Sequence, residues 1–454
     1  MTGEIMFELT KDELAAARLF GLREGFMPSI NVFLPSFKVS KGMIVSLTGD
    51  SGSGKTLFLE MREKSALNKV CSLNNLDFDT EKSAYQNLYD VLNSTEKALK
   101  ILGKIGLAEA GLILRPVKTY SAGELFRFKL ALAIAAGIET LIIDEFGMQL
   151  DDILACNIAF SLRKLANREG LSIFVASCRD TYLQDLQPDI SFNLDEAGVR
   201  ICRKFYRRRK PSYSRRLTVE RADNKIWKCF AHWHYKSHRT GPTSNVFTLN
   251  FDGKPVGIIV YGYPSIFSSP RNIATDGKFN SNVPQFVQKL NSEMRVIRRV
   301  VILPKYRGVG LASELVRKSI EMLPEQIKFV ECLTSMGEYC GFLKKAGFDF
   351  IKKTDVPKIV QKFNLELQNN NFSDENSNAK TFLNWLNSLS PEIQKSMRKT
   401  LMQVVKMRIQ INHPGLRNKE LSQIEQSSRF LPLIEEVLAA RYTRPSYFIK
   451  ELKK

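Results

Sequence analysis

The sequence lacks the features that mark several classes of protein. Its seven cysteines show no CxxC spacing, so neither a disulfide framework nor a zinc knuckle is indicated, and a reducing, cytoplasmic setting fits best. No apolar run approaches the ~18 residues that a membrane-spanning helix needs, and the acidic N-terminal segment has no apolar signal-peptide core. No internal repeat indicates a collagen or a coiled coil. The 454 residues, 44% of them hydrophobic, therefore predict a soluble protein of about two or three domains that makes no membrane contact.

Acidic residues are also missing from one stretch, residues 197–219, which holds nine basic residues. The run at its centre is Arg207, Arg208, Arg209 and Lys210. Residues 1–196 carry 21 Lys and Arg against 26 Asp and Glu, a net charge of −5, whereas the whole chain carries +20, so the remainder carries +25. A regional positive field attracts polyanions. We therefore expect nucleic acid, DNA before RNA, to bind at this run; a solvated linker is the alternative.

A glycine-rich loop stands between a predicted strand and a predicted helix. The apolar stretch 43–48 indicates a buried strand, residues 49–56 follow with the pattern GxxxxGKT, and a helical run begins at Leu57. Backbone amides of such a loop surround phosphate oxygens at the start of a helix. Lys55 would reach the β- and γ-phosphates and Thr56 would hold Mg²⁺, so the loop predicts an ATP site.

Two carboxylates end a second predicted strand, residues 140–145. Asp144 would support the Mg²⁺ ion together with Thr56, and Glu145 would polarise the attacking water. The interpretation is an α/β nucleotide-hydrolysing module.

Further motifs resemble those of the ATP-binding-cassette (ABC) ATPases. Ser121-Ala122-Gly123-Glu124 is similar to their signature loop, just upstream of the second strand, and Leu150-Asp151 is similar to their D-loop. The resemblance covers residues 28–196. It implies that ATP binds between two cassettes and therefore that this chain, with one cassette, forms a homodimer. The ATP-binding residues that it implies are Gly49, Ser51, Gly52, Gly54, Lys55, Thr56, Asn75, Ser121, Gly123, Asp144 and Asp151.

Two departures from the ABC pattern affect the expected activity. Cys178 stands where the family has its switch histidine, and a thiol cannot replace the hydrogen bonds of an imidazole. Asn74 or Asn75 stands in place of the Q-loop glutamine. We therefore expect slow hydrolysis, with ATP acting more as a dimerising switch.

A second module is predicted after the basic stretch. Strands are indicated over 246–251, 256–261 and 294–303, and an amphipathic helix over 313–322. The junction before this helix has the pattern RxxGxA, in which amides at the helix start would face an anion. This junction, together with the segment 341–348, resembles the GCN5-related N-acetyltransferases (GNAT) over residues 215–355. The resemblance implies acetyl-CoA or a related acyl donor, bound by Val301, Leu303, Arg307, Gly308, Val309, Gly310, Leu311 and Ala312.

Three of the four histidines lie close together at His232, His234 and His238, beside Trp233. Such a cluster could bind a metal, stack on a base or act in acid–base chemistry, and a structural role is the alternative.

This region, with the Gly-Pro loop at 241–242 and residues 256–264, resembles the Mom family of phage DNA-modification proteins, GNAT-like enzymes that alter the N6 amino group of adenine. The resemblance implies His234 and Tyr235 as an active-site pair, with Arg299 nearby and Glu331 as the late carboxylate, and GNAT enzymes place a general acid where Tyr339 stands.

The domain organisation that we expect is an ATPase domain at 1–196, a basic linker at 197–220, a GNAT-like domain at 221–355, and a polar linker with a basic helical tail at 356–454. The fold class is α/β: a P-loop ABC ATPase domain, then an α+β GNAT-like domain, then a helical C-terminal region.

Three functions remain open on these grounds. The first is a DNA-modifying transferase regulated by an ABC-type dimer and acting on a flipped base. The second is an RNA-directed N-acetyltransferase coupled to an ATPase, because basic charge does not separate the two polyanions. The third is a non-catalytic clamp or sensor.

Overall fold

The computed structural model describes residues 2–6, 9–22, 29–33, 37–64, 69–195, 198–202, 208–234, 240–373, 378–412 and 414–452. Arg207, Tyr235 and His238, which the sequence marks as candidates, lie outside the described residues.

The first module is built around a largely parallel sheet. The strands of the module are β1 (Thr2–Met6), β2 (Ser29–Phe33), β3 (Ile44–Gly49), β4 (Val70–Ser72), β5 (Thr140–Ile143), β6 (Ser172–Ala176), β7 (Ile190–Asp195) and β8 (Gly198–Cys202). Its helices are α1 (Lys11–Leu19), α2 (Lys55–Lys64), α3 (Ala84–Leu92), α4 (Thr95–Lys104), α5 (Ala110–Ile113), α6 (Ala122–Ala135), α7 (Asp152–Glu169) and α8 (Leu183–Leu186). β1 and β2 form a separate antiparallel pair.

The strand order of this sheet, β4-β5-β6-β3-β7-β8, brings the two nucleotide motifs to one edge. β6 lies between β3, which leads into the glycine-rich loop, and β5, which ends at the two carboxylates; both pairings are parallel. Because the carboxyl ends of parallel strands meet at the same edge, the loop and the carboxylates become neighbours. The central strands β3, β5 and β6 are mostly apolar and almost wholly buried, as expected of a sheet covered on both faces.

The second module is a mixed sheet with helices packed against it. Its strands are β9 (Leu217–Arg221), β10 (Thr243–Phe251), β11 (Lys254–Gly262), β12 (Met294–Ile302), β13 (Phe329–Thr334) and β14 (Asp349–Lys353). Its helices are α9 (Ser269–Ala274), α10 (Phe286–Glu293), α11 (Leu311–Glu321), α12 (Gly337–Cys340) and α13 (Phe342–Lys345).

A helical unit follows, with a core of its own, and ends in a strand. The helices are α14 (Lys358–Asn369), α15 (Ala379–Ser388), α16 (Pro391–Asn412), α17 (Leu421–Glu425) and α18 (Phe430–Ala440), and the strand is β15 (Ser446–Glu451). No described helix has both the length and the apolar character needed to cross a bilayer.

The expected domain boundaries need correction at both ends of the second module. The described parts of the stretch 197–220 are largely structured, because β8 pairs with β7 in the first sheet and β9 pairs with β10 in the second. The C-terminal segment is not wholly helical: β15 lies between β13 and β14, giving the order β14-β15-β13-β12-β11-β10-β9. The sequence pattern did not reveal this, because a strand inserted from a distant segment depends on long-range pairing.

A buried ion pair anchors β15 in the sheet. Arg271 of α9 donates from Nε and Nη2 to the carboxylate of Glu331, at 2.9 and 2.8 Å, and Tyr447 of β15 donates to the same carboxylate at 2.7 Å. Both charged side chains are 1% exposed. Glu331, which the sequence offers as a candidate active-site carboxylate, is therefore committed to holding α9, β13 and β15 together.

Candidate functional site

The glycine-rich loop of the first module has the geometry of a phosphate site. Gly49, Gly52 and Gly54 have φ of 138°, 81° and 87°, and a Cβ on Gly49 would lie 1.9 Å from a backbone oxygen of Leu194. Lys55 is 8% exposed and donates from Nζ to the carbonyl oxygen of Gly49 at 2.9 Å, which holds the ammonium over the loop. The loop and its lysine therefore fit a nucleotide phosphate.

The adjacent carboxylates fit Mg²⁺. The Thr56 hydroxyl donates to Oδ2 of Asp144 at 2.7 Å, so that a hydroxyl and a carboxylate, both hard oxygen ligands, lie next to each other. Glu145 is exposed, has φ of 52°, and donates from its backbone nitrogen to Oδ1 of Asp144 at 2.9 Å. The carboxylate of Glu145 is thus exposed to water beside Asp144, where it could act on a water molecule.

The remaining nucleotide candidates lie apart from this loop. Ser121 caps α6 in a capping box with Glu124, and Gly123 packs so tightly that a Cβ would lie 2.6 Å from Leu154. Asn75 is exposed. Within the described residues none of Ser121, Gly123 and Asn75 hydrogen-bonds with the glycine-rich loop.

The switch position follows β6. Ser177 is buried and donates to the carbonyl oxygen of Phe146 at 2.8 Å, whereas Cys178 is exposed. Arg179 donates to the carbonyl oxygens of Gly147 and Leu150, which ties this segment to the one that follows the two carboxylates.

A cleft opens in the sheet of the second module. β12 and β13 pair in parallel only over residues 294–297 of β12. Val260 faces Arg299 and Tyr261 faces Ile297 across the β11–β12 ladder, so Arg298 is an extra residue, a β-bulge that turns β12. From Arg298 onward β12 has no partner strand on the β13 side in the described residues, and this divergence forms the cleft.

The cavity in this cleft has a volume of about 570 Å³ and two walls of different origin. The second module supplies β12, the end of β13 and the segments around α11, α12 and α13; the first module supplies α4, the turn after it and the end of α7. The lining residues from the first module are Lys100, Gly103, Lys104, Gly106, Ala108, Glu109 and Arg168.

The loop before α11 lies at one end of the cavity and fits a diphosphate. Gly308 and Gly310 have φ of 89° and 98°, and Gly310 caps α11 without a side-chain bond, which leaves the first amides of an 11-residue helix available. The lining residues here include Val301, Arg307, Gly308, Gly310, Leu311 and Ala312. Leu303 and Val309 instead pack in the core, so their side chains are not placed to touch a cofactor.

Arg307 is only partly available to a ligand. Its Nε donates to the carbonyl oxygen of Ile302 at 2.7 Å, and its Nη1 forms an ion pair with Glu109 of the first module. A carboxylate from the first module therefore shares the guanidinium that the sequence assigns to the cofactor.

Side chains of the first module donate hydrogen bonds to backbone carbonyl oxygens of the loop before α11. Arg127 of α6 donates to the carbonyl oxygens of Pro304 and Arg307, both at 3.1 Å, and Asn157 of α7 donates to that of Lys305 at 2.8 Å. Asp151, at the start of α7, forms an ion pair with the Lys305 side chain at 2.7 Å. Sequence reasoning missed these contacts, because nothing in the sequence pairs residues so far apart.

Acceptor candidates lie elsewhere along the cavity. Trp233, His234, Arg298, Arg299 and Tyr339 line it. The Trp233 ring lies 4.7 Å from that of His232, and the His234 ring lies edge-on to Trp227 at 6.0 Å. In the part of the chain that the structure describes, no three His, Cys, Asp or Glu side chains are grouped to hold a metal.

Burial shifts the pKa of two residues that line this cavity, Cys340 and Arg298. Burial raises the pKa of the Cys340 thiol to about 12, so this lining residue is not a nucleophile near neutral pH. Burial also lowers the pKa of Arg298, with Glu331 opposing the effect; an arginine remains charged nonetheless.

The described part of the basic run makes few contacts. Arg208 and Arg209 are exposed, while Lys210 forms an ion pair with Glu314 at 2.7 Å. Lys210 is thus partly neutralised, and the two arginines carry the exposed charge of the run.

Comparison with known proteins assigns the second module. Residues 203–348 match the acetyltransferase (GNAT) family. The chain therefore contains a GNAT acetyltransferase domain, joined to a P-loop module, and is an acyltransferase-like enzyme. Among curated proteins no sequence matches the chain.

The first module is similar to ATP-binding cassettes among solved structures. The cbiO1 protein of Clostridium perfringens, part of an ABC transporter complex, is 20% identical with a TM-score of 0.31, over 38% of this chain and 80% of that one. A dimeric cassette in a post-hydrolysis state bound to ADP and phosphate is 16% identical with a TM-score of 0.33, over 44% of this chain and 95% of that one. The P-loop assignment rests on the loop geometry described above, and the α/β fold class is confirmed.

Proposed function

We propose that this chain is an ATP-regulated transferase that modifies an exocyclic amino group of a nucleobase in DNA. The observation that carries the proposal is the continuous cleft, which joins a diphosphate-binding loop to a group of aromatic, imidazole and guanidinium side chains. Such a cleft can hold a donor and an acceptor side by side.

The donor that suits the cleft is an acyl-CoA-type thioester, which supplies an electrophilic carbonyl carbon. The amides of Gly310, Leu311 and Ala312 bind its diphosphate. His234 takes a proton from the acceptor amine as the N–C bond forms. Tyr339 donates a proton to the leaving sulfur as the C–S bond breaks.

The acceptor that suits the cleft is a base drawn out of its stack. Residues 197–454 carry a net charge of +25, and Arg208 and Arg209 are exposed. Trp233 offers a stacking surface within the cavity. An amino group inside a duplex is out of reach, so flipping is required, and the likeness to the Mom family favours the N6 amino group of adenine.

ATP acts as the regulator in this proposal. Two cassettes pair so that Ser121 and Gly123 of one chain complete the nucleotide site of the other. The thiol of Cys178 replaces the switch histidine, so hydrolysis is slow and ATP occupancy sets the dimeric state.

The test is mass spectrometry of nucleosides from cells that express the protein. DNA and RNA are digested separately, from cells with the wild-type chain and from cells with Gly310→Glu, which places a carboxylate at the diphosphate position. We expect a new adenine nucleoside in DNA with the wild-type chain only.

The other outcomes separate the alternatives. A modified nucleoside confined to RNA would replace DNA with RNA as the substrate. Unchanged nucleosides in both pools, with the protein well expressed, would contradict transfer to nucleic acid and leave the non-catalytic clamp.

A further inference from the structure

Three cations from two modules meet beside the loop that precedes α11. Lys164 and Arg168 lie four residues apart on α7, and therefore on the same face of that helix, while Lys345 lies at the end of α13. Arg168 and Lys345 line the cavity, and Lys164 donates from Nζ to the carbonyl oxygen of Gly308 at 3.3 Å. The group thus borders the diphosphate loop directly.

None of these three cations has an ion-pair partner among the residues that the structure describes. The neighbouring Lys104 differs, since it pairs with Glu169 at 3.0 Å. Burial, together with the charges of Lys345 and Arg168, lowers the pKa of Lys164 to about 8, and burial and Arg168 also lower that of Lys345. Among the described residues, three like charges therefore lie together without a carboxylate to neutralise them, an arrangement that an anion would relieve.

Helix α7 is held against the loop, so the group is not a chance surface cluster. A Cβ on Gly308 would lie 3.2 Å from the Ser161 hydroxyl of α7, and a Cβ on Gly106 would lie 3.0 Å from Gly308 itself. Asn157, one turn before Ser161, binds the carbonyl oxygen of Lys305. One face of α7 therefore follows the loop and carries its two cations to a defined position beside it.

We propose that Lys164 and Arg168 of the ATPase module, with Lys345 of the transferase module, bind the ribose 3′-phosphate of a CoA-type donor. The proposal rests on the function proposed above. Coenzyme A carries a second phosphate one ribose away from its diphosphate, and the cation group lies next to the diphosphate loop. The donor site is then composite: the transferase module binds the diphosphate, and the ATPase module helps to bind the phosphomonoester.

The experiment compares coenzyme A with 3′-dephospho-coenzyme A, which differs only by this phosphate. Binding of each to the full-length protein is measured by isothermal titration calorimetry. Charged hydrogen bonds to a phosphate favour the complete cofactor, so we expect the wild-type protein to bind coenzyme A about tenfold more tightly or better. In Arg168→Gln/Lys345→Gln the preference should fall to within about twofold, with binding of the dephospho form unchanged.

A matched control removes two charges elsewhere. Lys395 and Lys399 are exposed on α16, and Lys395→Gln/Lys399→Gln should keep the wild-type preference. Circular dichroism checks that both double variants fold.

Three other outcomes would each contradict the inference, and each would point to a different cause. Equal binding of the two compounds to the wild-type protein would remove the 3′-phosphate site but leave an acyl-CoA transferase. Binding of neither would remove the proposed donor itself. A preserved preference in Arg168→Gln/Lys345→Gln, with weaker binding of a DNA oligonucleotide, would assign the cations to nucleic acid instead.

Discussion

The molecule contains two glycine-bearing loops that each precede a helix, and they differ in what surrounds them. The loop before α2 is bounded by its own module, with Lys55 over it and Thr56 joined to Asp144. The loop before α11 belongs to the second module but accepts hydrogen bonds from three side chains of the first, Arg127, Asn157 and Lys164. The first loop is a local motif that can work wherever its strand and helix form, whereas the second depends on how two modules pack.

Two helices of the first module connect its candidate nucleotide motifs with the loop before α11. Asp151, the candidate D-loop residue, caps the start of helix α7, and Lys164 and Arg168 lie near the other end of that helix. Ser121, the candidate signature residue, caps the start of helix α6, which carries Arg127. In the dimer that we propose, a second cassette would contact the same two helices that contact the loop before α11, so a shift of either helix would move that loop.

The largest effect should come from the first loop. Lys55→Ala removes the cation that faces the phosphates, and we expect ATP affinity to fall by about 100-fold or more, with coenzyme A affinity unchanged. Fluorescent ATP-analogue titration and calorimetry measure the two affinities. Lys64→Ala, an exposed lysine on the same helix, is the control. Tight ATP binding by Lys55→Ala would refute the phosphate-loop assignment.

The reciprocal variant addresses the second loop. Gly310→Glu puts a carboxylate at the helix start where the diphosphate would lie, and we expect coenzyme A affinity to fall by about 30-fold or more, with ATP binding intact. Gly277→Glu is a control for backbone strain, since Gly277 also has positive φ, 75°, and open space around it. Unchanged affinity in Gly310→Glu would mean that the donor binds elsewhere.

Arg127→Met tests whether the contacts of the first module with the loop before α11 affect stability and donor binding. The side chain is 5% exposed, and its loss leaves the carbonyl oxygen of Arg307 without its partner, whereas that of Pro304 keeps the Arg307 N–H; this should cost about 1–3 kcal/mol of folding stability. We also expect coenzyme A affinity to fall about fivefold while ATP affinity holds. Urea unfolding and calorimetry give both values. If Arg127→Met lost stability but kept its coenzyme A affinity, the contacts of Arg127 with the loop would not influence donor binding.

The smallest effect concerns pH. Lys164 has a pKa of about 8 and therefore loses its positive charge as the pH rises through that value. A phosphomonoester has a second pKa of about 6 and stays fully charged over the same range. The preference for coenzyme A over its dephospho form should therefore weaken about threefold between roughly pH 7 and pH 9. Calorimetry at several pH values follows the ratio. Lys164→Arg should give a shallower profile, in which Lys345, whose pKa burial also lowers, still titrates. A wild-type profile no steeper than that of Lys164→Arg would exclude Lys164 from the phosphate site.

Much of the fold could be predicted because its signals are local. The strand expected over 43–48 is observed as β3, and the helix expected over 313–322 as α11. β15 could not be predicted, because six residues after a helical unit show no pattern that names their partner strands. Glu331 was proposed as an active-site carboxylate from resemblance, but the arginine that neutralises it lies 60 residues away.

The sequence by itself determined the two glycine-bearing loops, the order of the modules and the uneven charge, since each depends on contiguous residues or on composition. Only the tertiary structure decided that β12 and β13 diverge, that α7 lies along the donor loop, and that Glu109 reaches Arg307. These features arise from packing and hydrogen bonds between segments up to about 200 residues apart, where burial and geometry rather than local pattern select the partners.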